Sequence, residues 1–306
     1  MDVVDKFYEL IDNCCMLLNK KLHLNYFDSL VRVCNDITYE LDDSKLDDED
    51  IKILESKYQE IYNIQITNEE VRQAMELLIV KGMKHINMSL DIMTPDYINY
   101  LFAYLIKEFF KNRKEISILD VEVGTGNLIN SISNFIPIDS ILYGVENNKQ
   151  LVDLCKANTN IQNNTINIYF QDVLTKLIES FDVIIGELDC KNIDEKYYPY
   201  NIIINYLNNL NEDGLFIYLI ENDFFAQKQM NEFKNQFNGT LFGLIVLPQE
   251  LFQEGFVGKS LLIGSSKKVN NFEMMAIQMP NINNKEKFYQ SLDEIQEWIK
   301  KIKESI

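Results

Sequence analysis

The chain has 306 residues, 46% of them hydrophobic, and its 47 acidic against 29 basic residues give a formal net charge of -18. That length accommodates a full α/β domain with a smaller companion, and the charge disfavours nucleic acid as a ligand of the chain alone, because phosphate binding draws on Lys and Arg. Five cysteines without paired spacing (Cys14, Cys15, Cys34, Cys155, Cys190) and only two histidines (His23, His85) argue against a disulfide framework, a metal centre or histidine-based catalysis.

The segment Met1 to Leu10 is acidic and helix-like, with no basic leader, and no apolar run reaches about 18 residues; a cytoplasmic protein with no membrane segment is predicted. From Val3 to about Lys84 apolar residues recur at helical spacing, as in Val4, Phe7, Ile11 and again Ile51, Leu54, Tyr58, Ile61, which predicts an all-helical N-terminal domain over residues 1–90. The acidic stretch Asp42 to Asp50 reads as a solvated loop, with Asp47 or Asp48 able to cap a helix beginning near Ile51. Thr67 and Glu70 have the spacing of a capping box.

After Thr94-Pro95 the periodicity changes, and residues 91–306 read as a second domain in which strands and helices alternate. Strands are predicted at Ile116–Val121, Ile141–Val145, Ile166–Phe170, Asp182–Ile185, Leu215–Ile220, Leu241–Leu247 and Ser260–Gly264. Helices are predicted at Leu128–Asn134, Lys149–Asn158, Tyr200–Leu210, Phe224–Phe237 and Lys285–Lys303. Pro248 to Lys259 is too short for a helical crossover, so the seventh strand is expected to run antiparallel.

Asp120, Glu146, Asp172 and Glu187 each stand at the end of a predicted strand, where open α/β sheets bind ligands. Any one of them alone reads more readily as a solvated turn residue. Four in register favour a site: the acid after the second strand suits a ribose diol, the one after the third an adenine amino group, and Asp120, or a water it holds, an ammonium group. Tyr and Phe are abundant but fall at core spacing, and Cys190 has no nearby histidine to activate it.

With these acids in place, the segment from about Met93 to Lys268 resembles the class I S-adenosylmethionine-dependent methyltransferases, in particular the adenine amino-methyltransferase branch that includes type I restriction-modification subunits. Thr94-Pro95-Asp-Tyr-Ile98 resembles the Thr-Pro element upstream of the glycine turn, and Val123-Gly124-Thr125-Gly126-Asn127-Leu128 resembles the turn itself. Tyr143-Gly-Val-Glu146, continued by Asn147, is similar to the ribose-binding strand. Phe170-Gln-Asp172-Val173 is similar to the adenine-binding turn, and Leu247-Pro248 to Phe252 with Gly258-Lys-Ser-Leu-Leu-Ile263 to the tail of the same domain. The likeness is strongest to uncharacterised methyltransferase-like proteins of low-GC Gram-positive bacteria that carry a helical N-terminal module of this size, with Glu187-Leu188 and Tyr197-Tyr198-Pro199 as matching fragments.

The resemblance implies a seven-stranded, doubly wound, Rossmann-like α/β sheet with an antiparallel last strand. It implies S-adenosylmethionine as cofactor and a cofactor site drawn from Thr94, Asp120 and Glu122, the turn residues Gly124 to Leu128, and Glu146, Asn147, Asp172, Val173 and Glu187. The implied acceptor is an adenine amino group in nucleic acid, which the charge balance reconciles with a protein partner, engaged through the N-terminal helices or supplying a basic surface. Two departures stand out. The branch carries Asn or Asp, then Pro-Pro and an aromatic, where this chain has Glu187-Leu188-Asp189-Cys190; Glu187 and Asp189 are the candidate hydrogen-bond acceptors, and Tyr197 or Tyr198 the candidate stacking ring. Glu122 stands where the fold has a small residue, with three orientations open: away from the site, toward the cofactor sulfonium, or crowding the pocket. The rival reading is a methyltransferase-fold protein whose catalytic loop has degenerated and which acts as a cofactor-binding or protein-interaction module. A nicotinamide-dependent enzyme is disfavoured by the missing third glycine and the short final crossover.

Overall fold

The computed structural model describes residues 2–87, 94–193, 196–252, 257–270, 272–281 and 283–305. The expected domain boundary at 90/91, and Met93 where the resemblance starts, lie outside the described residues. Four helices come first: α1 (Val3–Leu22), α2 (Tyr26–Thr38), α3 (Asp48–Tyr62) and α4 (Asn68–His85). Then follow α5 (Asp96–Phe110), β1 (Glu115–Asp120), α6 (Asn127–Phe135), β2 (Asp139–Glu146), α7 (Lys149–Asn160), β3 (Ile166–Phe170) and β4 (Phe181–Glu187). The chain continues through a two-stranded ribbon, β5 (Asn192–Ile193) and β6 (Lys196–Tyr197), to α8 (Tyr198–Tyr206), β7 (Leu210–Glu221), α9 (Met230–Gln236), β8 (Thr240–Val246), β9 (Lys259–Ser265), β10 (Met275–Gln278) and α10 (Lys285–Ser305).

The main sheet has the order β10-β8-β9-β7-β4-β1-β2-β3. β1 is parallel to β2 and β4, and β4 to β7, whereas β9 runs antiparallel to both β7 and β8. All seven expected strands are present, the antiparallel one included. An eighth, β10, adds parallel to β8; its four residues, Met-Ala-Ile-Gln, are too short a run to signal a strand by periodicity. No helix among the described residues is long and apolar enough to cross a membrane.

Two compact units divide the chain. The first comprises Met1–Tyr100, Val123–Phe135 and Glu146–Phe170. Its helices start as the sequence dictates: Asp47 accepts from Glu49 N and Asp50 N to cap α3, and Thr67 and Glu70 form the reciprocal capping box of α4. Phe7, Ile11, Leu18, Phe27, Leu30, Leu54 and Ile79 form its core together with Cys14, Cys15 and Cys34, and the same core takes in Leu154 and Ala157 of α7. The second unit comprises Leu101–Glu122, Ile136–Val145 and Gln171–Ile306. Within it β4 and the C-terminal half of β7 are almost continuously buried, as strands covered on both faces must be.

Two helix expectations need correction. Phe224–Phe237 is not one helix: a 3-10 turn at Phe224–Ala226 ends at Gln227, whose ψ of 145° is extended, and α9 starts only at Met230. The helix expected at Tyr200–Leu210 begins earlier, at Tyr198, with Pro199 in its first turn, where the missing N–H costs nothing. It closes as a 3-10 turn at Leu207–Asn209, and Leu210 already opens β7.

Candidate cofactor site and catalytic loop

In the first unit the glycine turn is a built structure. Gly124 (φ 51°) and Gly126 (φ 78°) both occupy the left-handed region that a side chain resists, and Gly126 N donates to Val123 O at 2.8 Å to close the turn. A Cβ on Gly126 would lie 2.8 Å from Cys155 Sγ, so this glycine also sets how closely α6 approaches α7. Thr125 is buried, and its carbonyl accepts from Asn158 Nδ2 at 3.0 Å. Asn127 is buried with its amide fixed at both ends: Oδ1 accepts from Arg72 Nη1 at 2.7 Å, and Nδ2 donates to Thr94 O at 3.4 Å. Thr94 O also accepts from Asn99 Nδ2 at 3.3 Å. Leu128 is buried behind the turn. At the end of β2, Glu146 Oε1 accepts from Asn147 N (2.9 Å) and Asn148 N (2.8 Å), and Asn148 in turn caps α7.

In the second unit Asp120 ends β1, 2% exposed, and its Oδ1 accepts from Glu122 N at 3.2 Å. The Glu122 side chain turns to the candidate catalytic loop: Oε2 accepts from Asp189 N at 3.3 Å and Oε1 from Tyr198 Oη at 3.0 Å. Burial raises its pKa to about 7, against the opposing pull of those two donors and of Lys191. Asp172 caps its own turn by accepting from Leu174 N at 2.8 Å, and the carbonyl of buried Val173 accepts from Tyr206 Oη at 2.7 Å. Glu187, at the end of β4, forms an ion pair with Lys259 of β9. Burial lowers the Lys259 pKa, but Glu187 outweighs it and the net shift is upward. Asp189 is exposed and pairs with Lys191 at 2.6 Å, and Lys191 Nζ stands 4.7 Å from the Tyr198 ring centroid. Tyr197 packs into an aromatic cluster, its ring centroid 4.8 Å from that of Tyr200 and 6.1 Å from that of Phe224.

The structure thus joins Thr94 to Asn127, and Glu122 to Asp189 and Tyr198. The Glu122 side chain takes a course outside the three expected orientations and crosses to the loop. Neither ring offered for stacking is exposed: Tyr197 is 3% and Tyr198 4% accessible. Sequence reading missed two residues, Arg72 and Lys259. The first is an arginine among the buried apolar positions of α4, and the second opens β9, whose other six residues are all buried; a charge in such a register is the one signal that either gives.

A crystal structure of a candidate class I S-adenosylmethionine-dependent methyltransferase from Listeria monocytogenes superposes with a TM-score of 0.84 at 22% identity, over 97% of this chain and 99% of that one. The chain has the class I methyltransferase fold. The methyltransferase subunit of a type I restriction-modification system from Streptococcus thermophilus superposes with a TM-score of 0.63 at 13% identity, over 95% of this chain and 74% of that one. Residues 5–83 match the family described as the YtxK N-terminal helical domain. By sequence the chain is 25% identical over 326 residues to the Bacillus subtilis protein described as uncharacterized protein YtxK, spanning 99% of each.

Proposed function

We propose that the chain binds S-adenosylmethionine and transfers its methyl group to an amino nitrogen, with adenine in nucleic acid as the acceptor that the resemblance favours. The observation that carries the cofactor half of this reading is the hydrogen bond from Asn127 to the Thr94 carbonyl. Two separate segments of the resemblance, the Thr-Pro element and the glycine turn, are tied together, and the turn has the left-handed glycines that let a ligand approach backbone. When bound, the cofactor supplies a methyl group already activated on a sulfonium. Glu146 offers its second carboxylate oxygen to a ribose diol, since Oε1 is taken by two backbone amides. Asp172 suits an adenine amino group. An amino nitrogen that gains a methyl group must lose a proton, and Glu122, with a pKa of about 7 and two fixed donors, is the acceptor this reading assigns.

Calorimetry with S-adenosylmethionine tests the first half on the full chain: binding that Asp172→Ala weakens supports it, and no heat and no thermal shift at millimolar cofactor refutes it. Transfer of a labelled methyl group to adenine-containing DNA or RNA tests the second half, and so does its loss in Glu122→Gln. The net charge of -18 makes a basic partner subunit part of this proposal.

One observation favours the second reading, a cofactor-binding protein without transfer. Lys259 holds Oε1 of Glu187, the carboxylate that would accept a hydrogen bond from the target amine. Binding without transfer to any nucleic acid or protein extract would decide for it.

A further inference from the structure

Arg72 lies on α4 with its side chain fully buried, yet its guanidinium is shared among four groups. Nε and Nη2 hold Glu69 at 2.9 and 2.8 Å. Nη2 also reaches Asp96 Oδ1 at 2.7 Å, and Nη1 divides between Glu76 Oε2 and Asn127 Oδ1, both at 2.7 Å. One carboxylate would neutralise the cation. Three carboxylates and an amide converging on one planar fork instead fix directions, which is what a guanidinium does and an ammonium does not.

The two partners outside α4 matter most. Asp96 directly follows Thr94-Pro95, and Asn127 closes the glycine turn. Arginine has donors only, so the Asn127 atom facing it must be the amide oxygen, which leaves the NH2 group turned to Thr94 O. Arg72 therefore holds the Thr-Pro segment twice, through Asp96 directly and through Asn127 in relay.

We propose that Arg72 is a positioning residue for the cofactor site: from the helical N-terminal segment it fixes the Asn127 amide and, through it, the Thr94 backbone against the glycine turn. The proposal rests on the reading that this chain binds S-adenosylmethionine. It makes cofactor affinity depend on a helix that no strand-end argument includes.

The test uses the full chain and two readouts: calorimetric affinity for S-adenosylmethionine, and amide hydrogen exchange across residues 123–128 without cofactor. Arg72→Met and Asn127→Ala should each weaken binding about tenfold, the value of one charge-assisted contact, and the double variant should be no worse than either alone. Asn127→Asp keeps a partner for Arg72 but cannot donate to Thr94 O, so it should weaken binding as Asn127→Ala does. Exchange across 123–128 should quicken in Arg72→Met while that of Leu215–Ile220 stays unchanged. Should Arg72→Met fail to fold, Arg72→Lys keeps the charge without the fork and should give the same loss with cooperative unfolding retained. Losses that multiply in the double variant, or affinity within about twofold of the parent in Arg72→Lys, would overturn the proposal. A parent chain that binds no cofactor refutes the proposed function instead, and unchanged exchange across 123–128 then overturns the relay on its own.

Discussion

Replacing Glu122 by Gln removes a carboxyl group whose ionisation the fold opposes. Its pKa rises from 4.5 to about 7 on folding because it is buried, and Gln can keep both contacts, accepting from Asp189 N and donating to a reversed Tyr198 hydroxyl. A carboxyl group with a raised folded-state pKa adds stability at low pH and loses it as the pH climbs through the folded value. At ~1.4 kcal/mol per tenfold change in proton affinity, the full loss is about 3 kcal/mol, of which roughly 2 to 3 kcal/mol falls between about pH 5 and pH 8. Urea unfolding followed by the fluorescence of Trp298, the sole tryptophan and buried in the same unit, reads this directly. The difference in unfolding free energy between Glu122→Gln and the parent cancels every other titrating group. That difference should move in favour of the variant by roughly 2 kcal/mol from about pH 5 to pH 8. A difference that stays flat, or that moves in favour of the parent, would refute the assignment of Glu122 as a desolvated carboxyl group.

Other outcomes follow from the same geometry. Lys259→Met leaves Glu187 without its counter-ion; with both side chains only partly exposed (26% and 20%), the loss should be about 2 kcal/mol by urea unfolding and largely recovered by Lys259→Met with Glu187→Gln. Gly126→Ala forces a left-handed φ and a contact with Cys155 Sγ, so it should cost about 2 kcal/mol, and Cys155→Ala in the same chain should relieve only the contact part. Thr67→Ala breaks the capping box of α4 and should cost about 1 kcal/mol, seen as faster amide exchange in the first turn of that helix.

Much of the fold was legible because apolar periodicity and turn chemistry agreed along most of the chain. Val183 to Ile185 read as a buried strand, and the acids at Asp47 and Asp48, of which Asp47 is the cap, and Thr67 announced the helices that follow them. β10 was not legible, since a short edge strand is defined by the neighbour it pairs with more than by its own four residues. The division at Gln227 was hidden for a related reason: Phe224, Met230 and Phe233 are all buried, so the apolar signal runs on through a point where the backbone at Gln227 is extended. For the candidate site, sequence indicated which residues to examine but not how they connect. Glu122 had three orientations open, and its contacts with Asp189 and Tyr198 take it along a course that none of them described. Lys259 and Arg72 escaped because each meets its partner across a long stretch of sequence, Glu187 in one case and Asn127 in the other.

The presence of Leu154 and Ala157 in the same core as the first four helices bears on how this polypeptide can be handled and how it can have diverged. Trimming away residues 2–87 would uncover the apolar side of α7 to water, so the shortened chain should aggregate rather than fold on its own. The N-terminal helices could not have been appended or exchanged as a cassette without compensating change in α7, and the two segments are expected to be inherited together.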